Sequence, residues 1–88
     1  MNNNRETIIK KIEIERLRQL DLPGHEWDRK NTPSDWIAIA SHYISEEVRK
    51  SGQGPSSVDF EDSLVKAAAV ILAALEHIEL MKGRGELK

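Results

Sequence analysis

The sequence predicts an all-α fold, with three helices at about 4–20, 33–50 and 58–82 forming a three-helix bundle that oligomerisation through the third helix completes. Three observations carry this expectation. Residues 64–81, LVKAAAVILAALEHIELM, contain neither Gly nor Pro and are apolar around most of the helix circumference. A helix of that kind has to be covered on more than one side. No stretch of useful length alternates as a strand would, and turn-forming residues gather at Pro23-Gly24 and at 51–57, SGQGPSS. Finally, a chain of 88 residues without cysteine has neither disulfides nor thiolate metal sites to supplement its core. Two short helices can hardly cover the third, and association is the common remaining way to stabilise so small a domain.

The first helix is expected to start near Asn4 as N-cap, with Glu6 in its first turn. Ile8, Ile9, Ile12, Ile14, Leu17 and Leu20 supply a broad apolar face, with Glu13, Glu15, Arg16 and Arg18 on the remainder. Pro23-Gly24 ends it, and residues 21–31 form a polar loop around one large aromatic, Trp27. The second helix has Thr32 as N-cap, Pro33 as first residue and Asp35 where a capping box places Glu. Trp36, Ile37, Ala40, Tyr43, Ile44 and Val48 share one of its faces, and His42, Glu46 and Arg49 lie opposite. The third helix is capped by Ser57 or Asp59 and ends around Lys82, with Gly83 as its C′ glycine. The whole chain reads as a single domain, 1–88, with 1–3 and 84–88 frayed.

A net charge of −2 with interspersed signs excludes a non-specific nucleic-acid binder, which needs a clustered basic surface. It equally excludes a strongly acidic nucleic-acid mimic. The N-terminus has no apolar signal-like run, and the apolar run at 67–75 is too short to span a bilayer, so no membrane association is expected. His25, His42 and His77 have no HxH or HxxxH spacing. No Gly-rich phosphate loop or strand-turn-helix elbow surrounds any serine, which leaves no nucleophile.

Candidate binding residues follow from what remains. Asp62 and Lys66 stand i, i+4 on the polar stripe of the third helix, with His77 further along. They form either a solvated surface pair or, where the stripe is enclosed, an anchor for a phosphate-like anion. Five alanines, Ala67, Ala68, Ala69, Ala73 and Ala74, thin this helix so that another can approach closely, within one bundle or from a second subunit. Glu47 falls within about 20° of Trp36, where it reaches water or pairs with Arg16 or Arg18. Trp36 anchors the second helix, while Trp27 either folds back onto the core or stacks on a partner.

The segment Glu15, Arg16, Arg18, Gln19 (E-R-L-R-Q), the loop residues Gly24, Glu26, Asp28 and Asn31, and Leu64-Val65-Lys66-Ala67 together resemble a group of short phage and prophage proteins. That resemblance spans 12–80 and implies a phage origin, a cytoplasmic location in an infected cell and an all-α fold. A more distant one is to the MazG-type nucleoside-triphosphate pyrophosphohydrolases, which hold Mg²⁺ with an EExxE motif on one helix and ExxD on the next. Glu46 and Glu47 match two positions of the first motif, but Lys50 replaces the third carboxylate, and Asp59 and Asp62 only loosely imitate the second. So depleted a set argues against turnover.

The expected function is therefore binding by an accessory, anti-defence type of protein that sequesters a nucleotide-type ligand or a host factor, with no cofactor. In the ligand version Arg16, Arg18 and Lys66 contact phosphate, Trp27 or Tyr43 stacks on the base, and His77 lies beside them. One alternative is a divergent Mg²⁺-dependent pyrophosphohydrolase using Glu46, Glu47, Asp59 and Asp62. Another is a purely protein-directed inhibitor working through the first helix or the 21–31 loop.

Overall fold

The computed structural model describes residues 4–50 and 56–88, with side chains for all of these except 47–50. Within them the protein is all-α, with no strand. Helix α1 spans Asn4–Leu20, a 3₁₀ segment spans His25–Lys30, and α2 spans Pro33–Lys50. Helix α3 spans Ser57–Glu76 and a short α4 spans Ile78–Gly83. Both α1 and α2 pack on α3 far more than on each other, so α3 is the axis of the molecule.

The local chemistry explains the boundaries. Thr32 and Asp35 form a reciprocal capping box: the Asp35 amide donates to Thr32 Oγ1 at 3.2 Å and the Thr32 amide to Asp35 Oδ2 at 2.9 Å. Asp serves as well as the longer Glu here. At α3 the cap is Ser56 rather than the expected Ser57 or Asp59, and its hydroxyl accepts from the Asp59 amide at 3.1 Å. The polar 21–31 loop is more ordered than its composition suggests. Gly24, at φ 93°, turns the chain, and the Trp27 amide donates to the Gly24 carbonyl at 2.9 Å to open the 3₁₀ turns.

The expected single helix at 58–82 is broken at His77, which leaves helical geometry at φ −109°, ψ 11°. Its Nδ1 lies 2.7 Å from the Ala73 carbonyl oxygen, and the side chain thus satisfies the backbone at the break. The break lets α4 turn Met81 into the core. Residues 84–88, expected to fray, fold back onto the molecule in this structure. Gly85, not Gly83, takes the left-handed conformation, at φ 79°. The Gly85 amide bonds the Lys82 carbonyl and the Glu86 amide the Met81 carbonyl, each at 3.0 Å, the two bonds of a Schellman motif. Leu87 then packs on the core, and the Arg84 guanidinium donates to the carbonyls of Arg29 and Asn31.

The core is small. Trp36, Ala40, Val70, Ala73 and Met81 are buried, with Ile39, Tyr43, Ala74, Ile78 and Leu87 packed around them. The inner face of α2 is therefore Trp36, Ile39, Ala40 and Tyr43, while Ile37 and Ile44 point to solvent. Helix α1 departs further from its expected face. Its inner row is Ile12, Glu15, Arg16 and Gln19, and Ile9, Ile14 and Leu17 are exposed. The α1 sequence carries isoleucine or leucine around most of its circumference, so periodicity alone could not say which side faces inward. The polar partners on α3 decided it.

Candidate functional site

The inner row of α1 meets α3 through a charged seam. Arg16 is buried, and its guanidinium bonds Glu76 Oε1 through Nη2 at 2.8 Å and Nε at 3.1 Å. Nη1 also lies 3.9 Å from Asp28 Oδ2 in the 3₁₀ segment. One side chain thus ties three elements together at the end of α3. Pairing is what makes a buried guanidinium tolerable, since an uncompensated charge there is strongly destabilising.

Arg18 stands two residues along and so projects from nearly the opposite side of the helix. It forks onto Glu15, with Nε 2.8 Å from Oε1 and Nη2 on Oε2. Gln19 donates to Glu15 at 3.3 Å and to the Lys66 carbonyl at 3.3 Å. The Arg18 hydrogen bonds hold the Glu15 carboxyl below the usual carboxylate range, against the opposing effect of burial. Lys66 pairs with Asp62 at 3.0 Å, and that bond raises its ammonium above the ordinary lysine value. Each polar residue of E-R-L-R-Q therefore has a partner within the fold.

The six expected contact residues do not form one site. Arg18 and Lys66 share the Glu15–Asp62 side of the seam. Arg16 and His77 belong to a second place, a groove of about 350 Å³ that they line with Leu20, His25, Asp28 and Arg29. Trp27 lines neither. It is 57% exposed, with Lys30 Nζ 4.6 Å from its ring centroid. The indole does not fold back onto the core, because the 3₁₀ segment is pinned by Arg16 on Asp28 and by Arg84 on the Arg29 and Asn31 carbonyls. Tyr43 half-closes a crevice of about 150 Å³ beside Trp36, Gln19 and Ala73. The His77 ring lies tilted against Trp36, centroids 5.5 Å apart, and among the described residues the buried Trp36 Nε1 has no hydrogen-bond partner.

Among the described residues Arg16 pairs with Glu76 and Asp28, and Arg18 with Glu15. The Glu47 side chain itself lies outside the described residues. Asp62 is engaged by Lys66, and Asp59 sits in the first turn of α3. Among the described residues, no group of three or more His, Cys, Asp or Glu is placed to hold a metal ion. No described helix is long and apolar enough to cross a membrane. Sequence reasoning placed Gln19 and Asp28 among the residues that carry the resemblance but gave them no contact role, and it missed Arg84. Gln19 also carried a spacing signal, standing i, i+4 from Glu15 and i, i+3 from Arg16.

What the surface leaves open is apolar. Phe60, Leu64, Ile71 and Leu75 run down the outer side of α3, bordered by the buried Ala67, and all are substantially exposed. A groove of about 310 Å³ against α1, lined by Ile8, Ile12, Leu64, Val65 and Ala68, flanks this row on one side. Another of about 300 Å³ against α2, lined by Trp36, Ile37, Ala40, Ile71, Ala74 and Leu75, flanks it on the other. Comparison of the chain with family models, with curated proteins and with solved structures gives no match.

Proposed function

We propose that this protein acts by binding other protein surfaces without turnover, and that it does so as a homo-oligomer joined through the outer face of α3. One contrast carries the reading. The cationic candidates Arg16, Arg18 and Lys66 are already neutralised by carboxylates of the same chain, while a continuous row of large apolar side chains is left uncovered. A phosphate would have to displace Glu76, Glu15 or Asp62 to reach them. An apolar protein surface would displace only water, which is the favourable direction.

The exposed Trp27 on its doubly pinned 3₁₀ segment fits the same reading. A large aromatic held rigidly in solvent is the usual anchor of a protein contact. With the phage resemblance, this makes the chain a small accessory protein directed at a host factor in the infected cytoplasm. Light scattering on the purified protein tests the first element, with a mass of two or more chains expected. Isothermal titration against nucleotides tests the rest: no heat is expected, and saturable heat with any nucleotide would overturn the protein-directed reading.

The nucleotide-type ligand keeps one specific foothold. Arg16 and His77 converge on a groove whose volume lies at the lower end of the range for small-ligand sites. In that second reading Arg16→Gln abolishes the titration heat. For the divergent pyrophosphohydrolase, EDTA-sensitive release of pyrophosphate lost in Glu46→Gln would be the supporting result.

A further inference from the structure

Resting on the self-association proposed above, we infer that two copies meet through α3 in antiparallel orientation, about a two-fold axis passing between Ala67 and Ala68. The occupant of the open face is thus a second copy of this chain, in a defined register.

The argument begins with the row itself. Phe60, Leu64, Ile71 and Leu75 are 46, 43, 48 and 62% exposed, and they fall within a sector of roughly 60° on the helix. Positions 60 and 75 are symmetric about the point between 67 and 68, and so are 64 and 71. Turning a second α3 end for end over that point sets Phe60 against the partner's Leu75 and Leu64 against the partner's Ile71. Large meets large at both ends of the contact. At its centre Ala68 is small and partly exposed while Ala67 is turned inward and buried, so no bulky side chain stands between the two backbones there. A two-fold contact must be self-complementary, and this row is.

The helix dipoles select the direction: antiparallel pairing sets them head to tail, whereas parallel pairing lays like ends together. The acids of the first two turns, Asp59, Glu61 and Asp62, stand off the apolar row, and Glu61 and Asp62 are engaged by Lys11 and Lys66.

Area is sufficient. The four side chains with Ile8 and Ile37 at their flanks expose on the order of 600 Å² per copy, close to the roughly 800 Å² per partner of a standard interface. A patch of that size stands at the top of the range for monomeric proteins, where the largest patch is often functional.

The absence of cysteine makes the register directly measurable. Phe60→Cys and Leu75→Cys are prepared separately, checked for wild-type helicity by circular dichroism, and treated with a short bis-maleimide alone and as an equimolar mixture. The antiparallel register predicts a cross-linked dimer from the mixture and none from either variant alone. Self-cross-linking of each single variant would mean parallel pairing and overturn the register while leaving self-association standing. A doubled mass by light scattering with no cross-link in any sample would place the contact on another face and overturn the inference. A single-chain mass would overturn the self-association reading and the register with it.

Discussion

The two sides of α3 are built on opposite rules. The side turned toward α1 and α2 holds mostly small residues, Ser63, Ala67, Ala69 and Ala73 beside Val70, and a seam of directed polar contacts at its edges. The outer side holds large residues, Phe60, Leu64, Ile71 and Leu75, all substantially exposed among the described residues. In most small domains the bulky residues go inward. Here the inner side brings backbones close and fixes geometry through Arg16, Gln19 and Glu76, and the bulk is left for another surface. The contrast teaches that exposure on α3 is a feature of the sequence's design rather than of a few stray residues.

Changes on the inner side should be felt as lost monomer stability. Removing the buried guanidinium in Arg16→Ala leaves Glu76 and Asp28 facing an unfilled space. Chemical denaturation should show a loss of about 3 kcal/mol, near the lower end for breaking a buried pair because Glu76 is half exposed. A loss below half of that would mean that the pair does not tie the three elements together. Overfilling the alanine seam in Ala73→Leu, at a position 2% exposed, should destabilise by about 2 kcal/mol, read as a lower thermal midpoint. Leu64→Gln on the outer side, by contrast, should leave the stability of the dissociated chain unchanged within about half a kcal/mol.

Smaller effects sharpen the same division. Thr32→Ala should cost about 1 kcal/mol, since it removes one half of the capping box at α2. The seam also has a pH signature. The Glu15 carboxyl is held below its unfolded value by Arg18, so its contribution is present above about pH 4.5 and is lost as the pH falls through the lowered folded value. The urea midpoint should therefore fall on acidification below pH 4.5. In Glu15→Gln that component should be missing, a difference on the order of half a kcal/mol because Arg18 is half exposed.

How much of this was legible in the sequence depends on what kind of signal each element carried. The termini of α1 and α2 were readable, because Thr32, Pro33 and the Pro23-Gly24 turn act locally. The break at His77 was not, because it depends on a carbonyl one turn earlier and on a core that draws Met81 inward. The inner face of α1 was also hidden. Ile8, Ile9, Ile12, Ile14, Leu17 and Leu20 surround that helix, and only the partners of Arg16 and Gln19 on α3 choose among its sides. The same pairing explains why Arg16 and Arg18, two apart and both cationic, were legible as charges but not as members of different clusters. Residues 84–88 looked like a polar tail. Their order comes from Gly85 and from Arg84 reaching the 3₁₀ segment, contacts made 53 and 55 residues away.

Light scattering of wild type beside Ile71→Glu/Leu75→Glu tests the central claim most directly. If the outer face of α3 is where copies meet, wild type has twice the chain mass and the double variant has the mass of one folded chain with unchanged helicity. Equal masses for the two proteins, whether single or double, would contradict it.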